Sequence, residues 1–150
     1  MIINKVKMVI SERVEVDEIK FRCSEDVAES EWFKNLFNED KEIFVCIHLN
    51  VKNQIKSFEI VSMGSMTSSI VHPREVLRGA ILSGAISVIF AHNHPSGDPE
   101  PSIDDIEITN RLCRAFNLVG INVLDHIILS DGGFFSFLIK DMISRDISFS

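Results

Sequence analysis

The sequence predicts a mixed α/β layer fold, and three observations predict it. Short β-branched and aromatic runs alternate with stretches of helical periodicity along the chain. No internal repeat or low-complexity tract interrupts that alternation. The length, 150 residues of which 45% are hydrophobic and 25% charged, suits one globular unit that buries roughly 70% of the surface its unfolded chain exposes. A core of that size needs no disulfide or structural metal, so metal ligands in this chain point to chemistry.

Taken in order, residues 2–10 read as an edge strand and residues 12–20 as a charged strand or loop. Ser24 can cap a helix that carries Glu25 and Asp26 in its first turn and ends by Asn38, with Val27, Trp32, Phe33, Leu36 and Phe37 near helical spacing. That aromatic stripe reads as core rather than as a docking surface. Ile43–Leu49 and Ile55–Met63, either side of a polar turn, form a hairpin pattern. Pro73 opens a helix at its first position, with Val76, Leu77, Ala80 and Ile81 apolar and Gly84 as its stop. Residues 88–91 are a short buried strand, and three prolines and a glycine keep residues 93–101 irregular. Ser102 starts a helix in which Ile106, Leu112, Cys113, Phe116 and Val119 share a face, ended by Gly120. Residues 121–129 and 134–139 close the chain as strands around Asp131-Gly132-Gly133. Residues 1–38 are therefore expected to pack as a strand or loop and one helix on a domain of residues 39–150.

Composition excludes several classes. With 22 acidic against 15 basic residues, a net charge of −7 and neither half of the chain cationic, there is no basic stripe to neutralise a phosphate backbone, so nucleic acid is not the expected partner. Apolar runs fall far short of the ~20 residues a membrane span needs. The first ten residues have lysines but no long apolar region or Ala-x-Ala site, so a cytoplasmic location is expected. Three cysteines, Cys23, Cys46 and Cys113, are too few and too scattered for a disulfide framework or a Cys-x-x-Cys metal knuckle, and read as reduced, mostly buried thiols. The amino-terminal edge strand offers a route to a homodimer.

His92 and His94 stand two apart at the end of a strand, where a period of two puts both imidazoles on one face. Ten residues separate His94 from Asp105, which falls in the first turn of the next helix, where the dipole favours a carboxylate. Two imidazoles and one carboxylate are a typical catalytic zinc set, with water in the fourth place. By itself a His-x-His pair is a weak signal. Ser102 and Asp105 also read as a Ser-x-x-Asp capping pair, a reading compatible with the first, because a cap orients Asp105 and leaves the Ser102 hydroxyl as a donor to a developing oxyanion. His48 and His72 have no ligand partner at suitable spacing. Asp125 and His126 read as a hydrogen-bonded core pair, in preference to His126 acting as a partner behind the site.

The string His92-Asn93-His94-Pro95-Ser96-Gly97-Asp98-Pro99, followed by Pro101-Ser102 and Asp105, resembles the JAMM (MPN+ or JAB) metalloprotease motif in the version carried by the RadC family. The flanking Val71-His72-Pro73-Arg74-Glu75-Val76 and Leu124-Asp125-His126-Ile127-Ile128 are similar to RadC-like proteins as well, so that the likeness runs from Glu42 to Ile139. The resemblance implies a cytidine-deaminase-like α/β architecture, a sheet flanked by helices, with zinc at a strand end. It implies His92, His94 and Asp105 as zinc ligands, Ser102 as the serine that stabilises the oxyanion, and hydrolysis of peptide, isopeptide or related amide bonds. The family's general base is a glutamate at the start of an upstream strand, which Glu42 matches best, ahead of Glu59 and Glu75. Full-length RadC proteins carry a longer region before this domain, so a stand-alone RadC-like domain is expected, with residues 93–101 bordering the site and setting specificity. The competing class is a non-catalytic RadC-like binding module in DNA repair or mobile-element processing. A nucleobase deaminase of related fold would need a Pro-Cys-x-x-Cys signature, which is absent.

Overall fold

A computed structural model describes residues 1–5, 9–15, 19–64 and 71–143. Its elements are α1 (Glu25–Ala28), α2 (Glu31–Leu36), β1 (Ile43–Leu49), β2 (Ile55–Met63), α3 (Pro73–Leu82), β3 (Ser87–Asn93), α4 (Ile103–Leu118), β4 (Asn122–Ser130) and β5 (Gly133–Ser136). The strands form one sheet in the order β2-β1-β3-β4-β5. β1 runs antiparallel to both β2 and β3, β3 and β4 are parallel across the α4 crossover, and β4–β5 is an antiparallel hairpin. This is the α/β sheet flanked by helices that the sequence predicts.

The central strands are buried on both faces, as continuous β-branched and aromatic runs require. Even-numbered residues of β1 and β3, among them Phe44, Cys46, Val88 and Phe90, pack with Val76, Ala80, Ile108, Leu112 and Phe116 of α3 and α4. Odd-numbered ones, among them Val45, Ile47, Ile89 and Ala91, pack with Val27, Phe33 and Phe37 around α1 and α2. The Trp32 stripe is core, since Trp32 meets Phe33 and Phe58 edge-on at 4.8 Å.

Several boundaries differ from expectation, each for a local reason. The helix expected from Ser24 to Asn38 forms as two, because Ser30 takes an extended backbone (φ −61°, ψ 122°) between α1 and α2. Ser24 does not cap; its hydroxyl donates instead to Asp125 Oδ2 at 2.6 Å. β5 stops at Ser136 rather than Ile139, because Leu138 N–H turns to the Asp125 carboxylate and Ile139 N–H to Ser136 Oγ. Residues 2–5, 9–10 and 12–15 form no strand, and Lys20 makes a single bridge to Gln54; residues 6–8 and 16–18 of the two expected amino-terminal elements lie outside the described residues. Cys46 is buried and Cys113 half-buried, whereas Cys23 is exposed rather than buried. Among the described residues no helix is long and apolar enough to cross a membrane.

Apolar side chains build both cores, one on each side of the sheet, with the His92 ring against Phe44 at the end of one of them. Chelation is therefore expected to leave a cooperative thermal transition, lowered only by the ligand linkage lost with the metal. Melting with and without chelator checks this, and loss of the transition would make the centre structural.

Candidate metal centre

The carboxyl end of β3 and the amino end of α4 meet at one point on the α3/α4 side of the sheet. His92 is the penultimate residue of β3, paired with Phe44 of β1 and Ile128 of β4. His94 follows directly and keeps the ladder going, its N–H donating to Leu129 O at 2.8 Å. Asp105 is placed by a capping box: Ser102 N–H donates to Asp105 Oδ2 at 2.7 Å, and Asp105 N–H to Ser102 Oγ at 3.1 Å. Because the hydroxyl accepts in that cap, its proton remains for another acceptor. The irregular loop, which the structure begins at residue 94 rather than at the expected 93, is held from the β4–β5 turn, where Gly132 N–H donates to Gly97 O at 3.2 Å. A Cβ at Gly132 would stand 2.5 Å from that carbonyl, so only glycine allows the approach.

His92, His94 and Asp105 each aim one donor atom at a common point, all within 4.8 Å of one another. The Nε2 atoms are 3.0 Å apart, His92 Nε2 lies 3.4 Å from Asp105 Oδ1, and His94 Nε2 lies 3.3 Å from Asp105 Oδ2. Tetrahedral zinc with bonds of about 2.0–2.1 Å spaces its ligands about 3.3 Å apart, so the set fits that ion. His94 Nδ1 donates to Asp98 O at 2.8 Å, which turns the Nε2 lone pair of the neutral ring toward the same point.

The electrostatics agree with a cation there. Burial works to raise the Asp105 carboxyl, but the two imidazoles that face it and the Ser102 N–H outweigh that and hold it well below the usual carboxylate range. The Asp105 contact raises His94, while complete burial lowers His92. His92 is fully buried and His94 keeps 11% of its side chain exposed, so the cluster opens to solvent on the His94 side.

Glu42 immediately precedes β1 and sits at this end of the sheet, where its charge raises the basicity of both imidazoles. The sequence reading missed what holds it. Asn93, between the two histidines and therefore on the opposite face of β3, accepts from Ile43 N–H at 2.6 Å and donates to Lys41 O at 2.9 Å, gripping the backbone on both sides of Glu42. Glu59 and Glu75 stand apart: Glu59 lies in β2 against Gly79 of α3, and Glu75 pairs with Arg78 at 3.1 Å. His72 caps α3 through Nδ1, and His48 Nδ1 contacts Ser57 Oγ.

Asp125 and His126 are both buried and joined by one hydrogen bond, His126 N–H to Asp125 Oδ1 at 2.7 Å, but their side chains do not meet, because neighbours in a strand face opposite ways. Asp125 turns to the α1 side, where it accepts from Ser24, Ser136, and the His126 and Leu138 N–H groups. His126 turns to the metal side. Its Nε2 lies 2.8 Å from His92 Nδ1, its Nδ1 lies 2.6 Å from Thr109 Oγ1, and its ring stacks on Phe137. Thr109 is one helical turn after Asp105, the spacing that could have flagged it in the sequence.

Comparison with known proteins agrees with this architecture. Residues 21–142 match the family model described as the RadC-like JAB domain. A UPF0758 protein of Methanosarcina acetivorans is 46% identical over 114 residues, covering 76% of this chain and 50% of that protein. One from Desulforamulus reducens is 48% identical over 122 residues, 81% of this chain and 53% of the relative. One from Caldanaerobacter subterraneus is 56% identical over 92 residues, covering 61% and 40%. The chain thus spans about half the length of these curated relatives or less. A match over most of the chain, on a sheet that ends in a His-His-Asp cluster, makes this protein a member of the RadC-like JAB domain family.

Proposed function

We propose that the chain is a zinc-dependent hydrolase of peptide, isopeptide or related amide bonds, with His92, His94 and Asp105 as the metal ligands. The observation that carries this reading is the convergence of two imidazole nitrogens and a carboxylate at tetrahedral zinc spacing, open on the side nearest solvent. Zinc held by these three residues would polarise a carbonyl and lower the pKa of a water beside it to near neutrality. Glu42 takes a proton from the attacking water and delivers it to the departing amine. The Ser102 hydroxyl, with its proton left over from the helix cap, donates to the oxyanion that develops on the carbonyl. Asn93 fixes the backbone that carries Glu42, so the base is preorganised rather than recruited.

The test is metal analysis followed by screening the zinc-loaded protein against a library of peptide and isopeptide amides. About one zinc per chain and metal-dependent cleavage are expected. Full occupancy with no cleavage across the library would favour the binding-module reading, and absence of zinc would remove the site assignment.

A further inference from the structure

His126 and Thr109 have no place in the catalytic scheme above, yet both are fully buried directly behind it. With both rings neutral, their contacts allow only one distribution of protons. Thr109 Oγ1 is 2.6 Å from the Asp105 carbonyl, an acceptor with no proton of its own, so the hydroxyl donates there. With its single proton committed, the same oxygen can only accept from His126 Nδ1, also at 2.6 Å. A neutral His126 protonated on Nδ1 has a lone pair on Nε2, and that lone pair must accept from His92 Nδ1 at 2.8 Å. His92 is then protonated on Nδ1, and its lone pair is on Nε2, the atom that faces His94 and Asp105.

We infer that Thr109 and His126 form a tautomer relay that holds His92 in its metal-ready form, with Nε2 unprotonated, before any metal arrives. Both are positioning residues, acting through His92 and touching neither metal nor substrate. The surroundings suit the task. Phe44 and Phe90 meet the His126 ring edge-on, with centroids 5.6 Å and 6.1 Å away, and Phe137 stacks on it at 4.8 Å. The three rings leave the His126 nitrogens to the two partners already named, Thr109 Oγ1 and His92 Nδ1. The relay also starts at the backbone carbonyl of Asp105, another ligand, so the helix turn that presents the carboxylate sets the tautomer of the imidazole opposite it.

The relay's importance for metal capture rests on the proposed metal site, but its proton arrangement can be tested without metal. In the metal-free 150-residue chain, imidazole ¹⁵N shifts are expected to show both His126 and His92 protonated on Nδ1. Finding His126 protonated on Nε2 would overturn the inference. Thr109→Val keeps the shape of the side chain but cannot accept from His126, so His126 shifts its proton to Nε2 and His92 must accept at Nδ1 and carry its own proton on Nε2. Zinc affinity, measured by competition with a chelator, should fall about 10- to 100-fold, and Thr109→Ser should restore it. A merely structural role would change the melting temperature of Thr109→Val without changing the His92 tautomer. Unchanged zinc affinity in a folded Thr109→Val protein would overturn the inference, and should that variant fail to fold, the wild-type tautomers still decide. A wild-type chain that shows both tautomers yet takes up no zinc supports the relay and overturns the metal reading, which separates the two failures.

Discussion

Glu42→Gln is expected to leave zinc content unchanged and to lower turnover of a cleavable amide by about 10²- to 10⁴-fold, the range for loss of a general base. Glutamine is nearly isosteric and keeps the backbone that Asn93 grips through Ile43 N–H and Lys41 O, so the loss isolates the proton-accepting oxygen. Glu42 is not among the three clustered donor residues, which is why metal content should hold. The measurement is single-substrate kinetics beside metal analysis of the same preparation. A fully active Glu42→Gln protein would move the base elsewhere, with Glu59 and Glu75 next in line despite their places on β2 and α3.

Asp105→Ala is expected to remove most of the zinc and, with it, activity. The substitution deletes one of three ligands and leaves two imidazole nitrogens 3.0 Å apart without a counter-charge. It also breaks half of the capping box, because Ser102 N–H loses its acceptor. Ser102→Ala separates these roles: it removes the other half of the cap, costing about 1 kcal/mol of stability, while the three metal donors remain. Its turnover should fall by up to about 10²- to 10³-fold if the hydroxyl donates to the oxyanion. Elemental analysis and thermal melting of the two variants side by side check this. Full zinc occupancy in Asp105→Ala would end the ligand assignment.

What could be read from the sequence and what could not divide along a physical line. The β1–β2 hairpin, the capped α4 and the approach of His92 and His94 depend on periodicity and turn chemistry within a few residues, so they are legible in one dimension. The split between α1 and α2 was not, because it lies at Ser30, whose extended backbone no local pattern marks, and neither was the loss of Ser24 as a cap, since its hydroxyl bonds across the chain to Asp125. The pairing of His126 with His92 is 34 residues apart, and it was obscured by an adjacent aspartate that offered a nearer partner. Strand alternation was sufficient to reject that partner, since Asp125 and His126 cannot face the same layer. The loop between Asn93 and Ser102 was read correctly as irregular, but its anchorage on the Gly132 turn depends on a contact between segments that no local pattern records.

The run His92-Asn93-His94 assigns its work by parity. Two imidazoles emerge on the α3/α4 side, and the amide between them emerges on the other, where the carbonyl of Lys41 and the N–H of Ile43 await it. A single residue inserted or removed between Ser87 and Ala91, with the start of the strand still paired, would invert all three side chains at once. The imidazoles would point at the clasp and the amide at the metal, so ligand set and base support would fail together. Length changes upstream of the histidines are therefore admissible only in steps of two within β3, whereas the irregular loop beyond His94 has no alternating frame and is fixed instead by its contacts at Gly97 and Asp98.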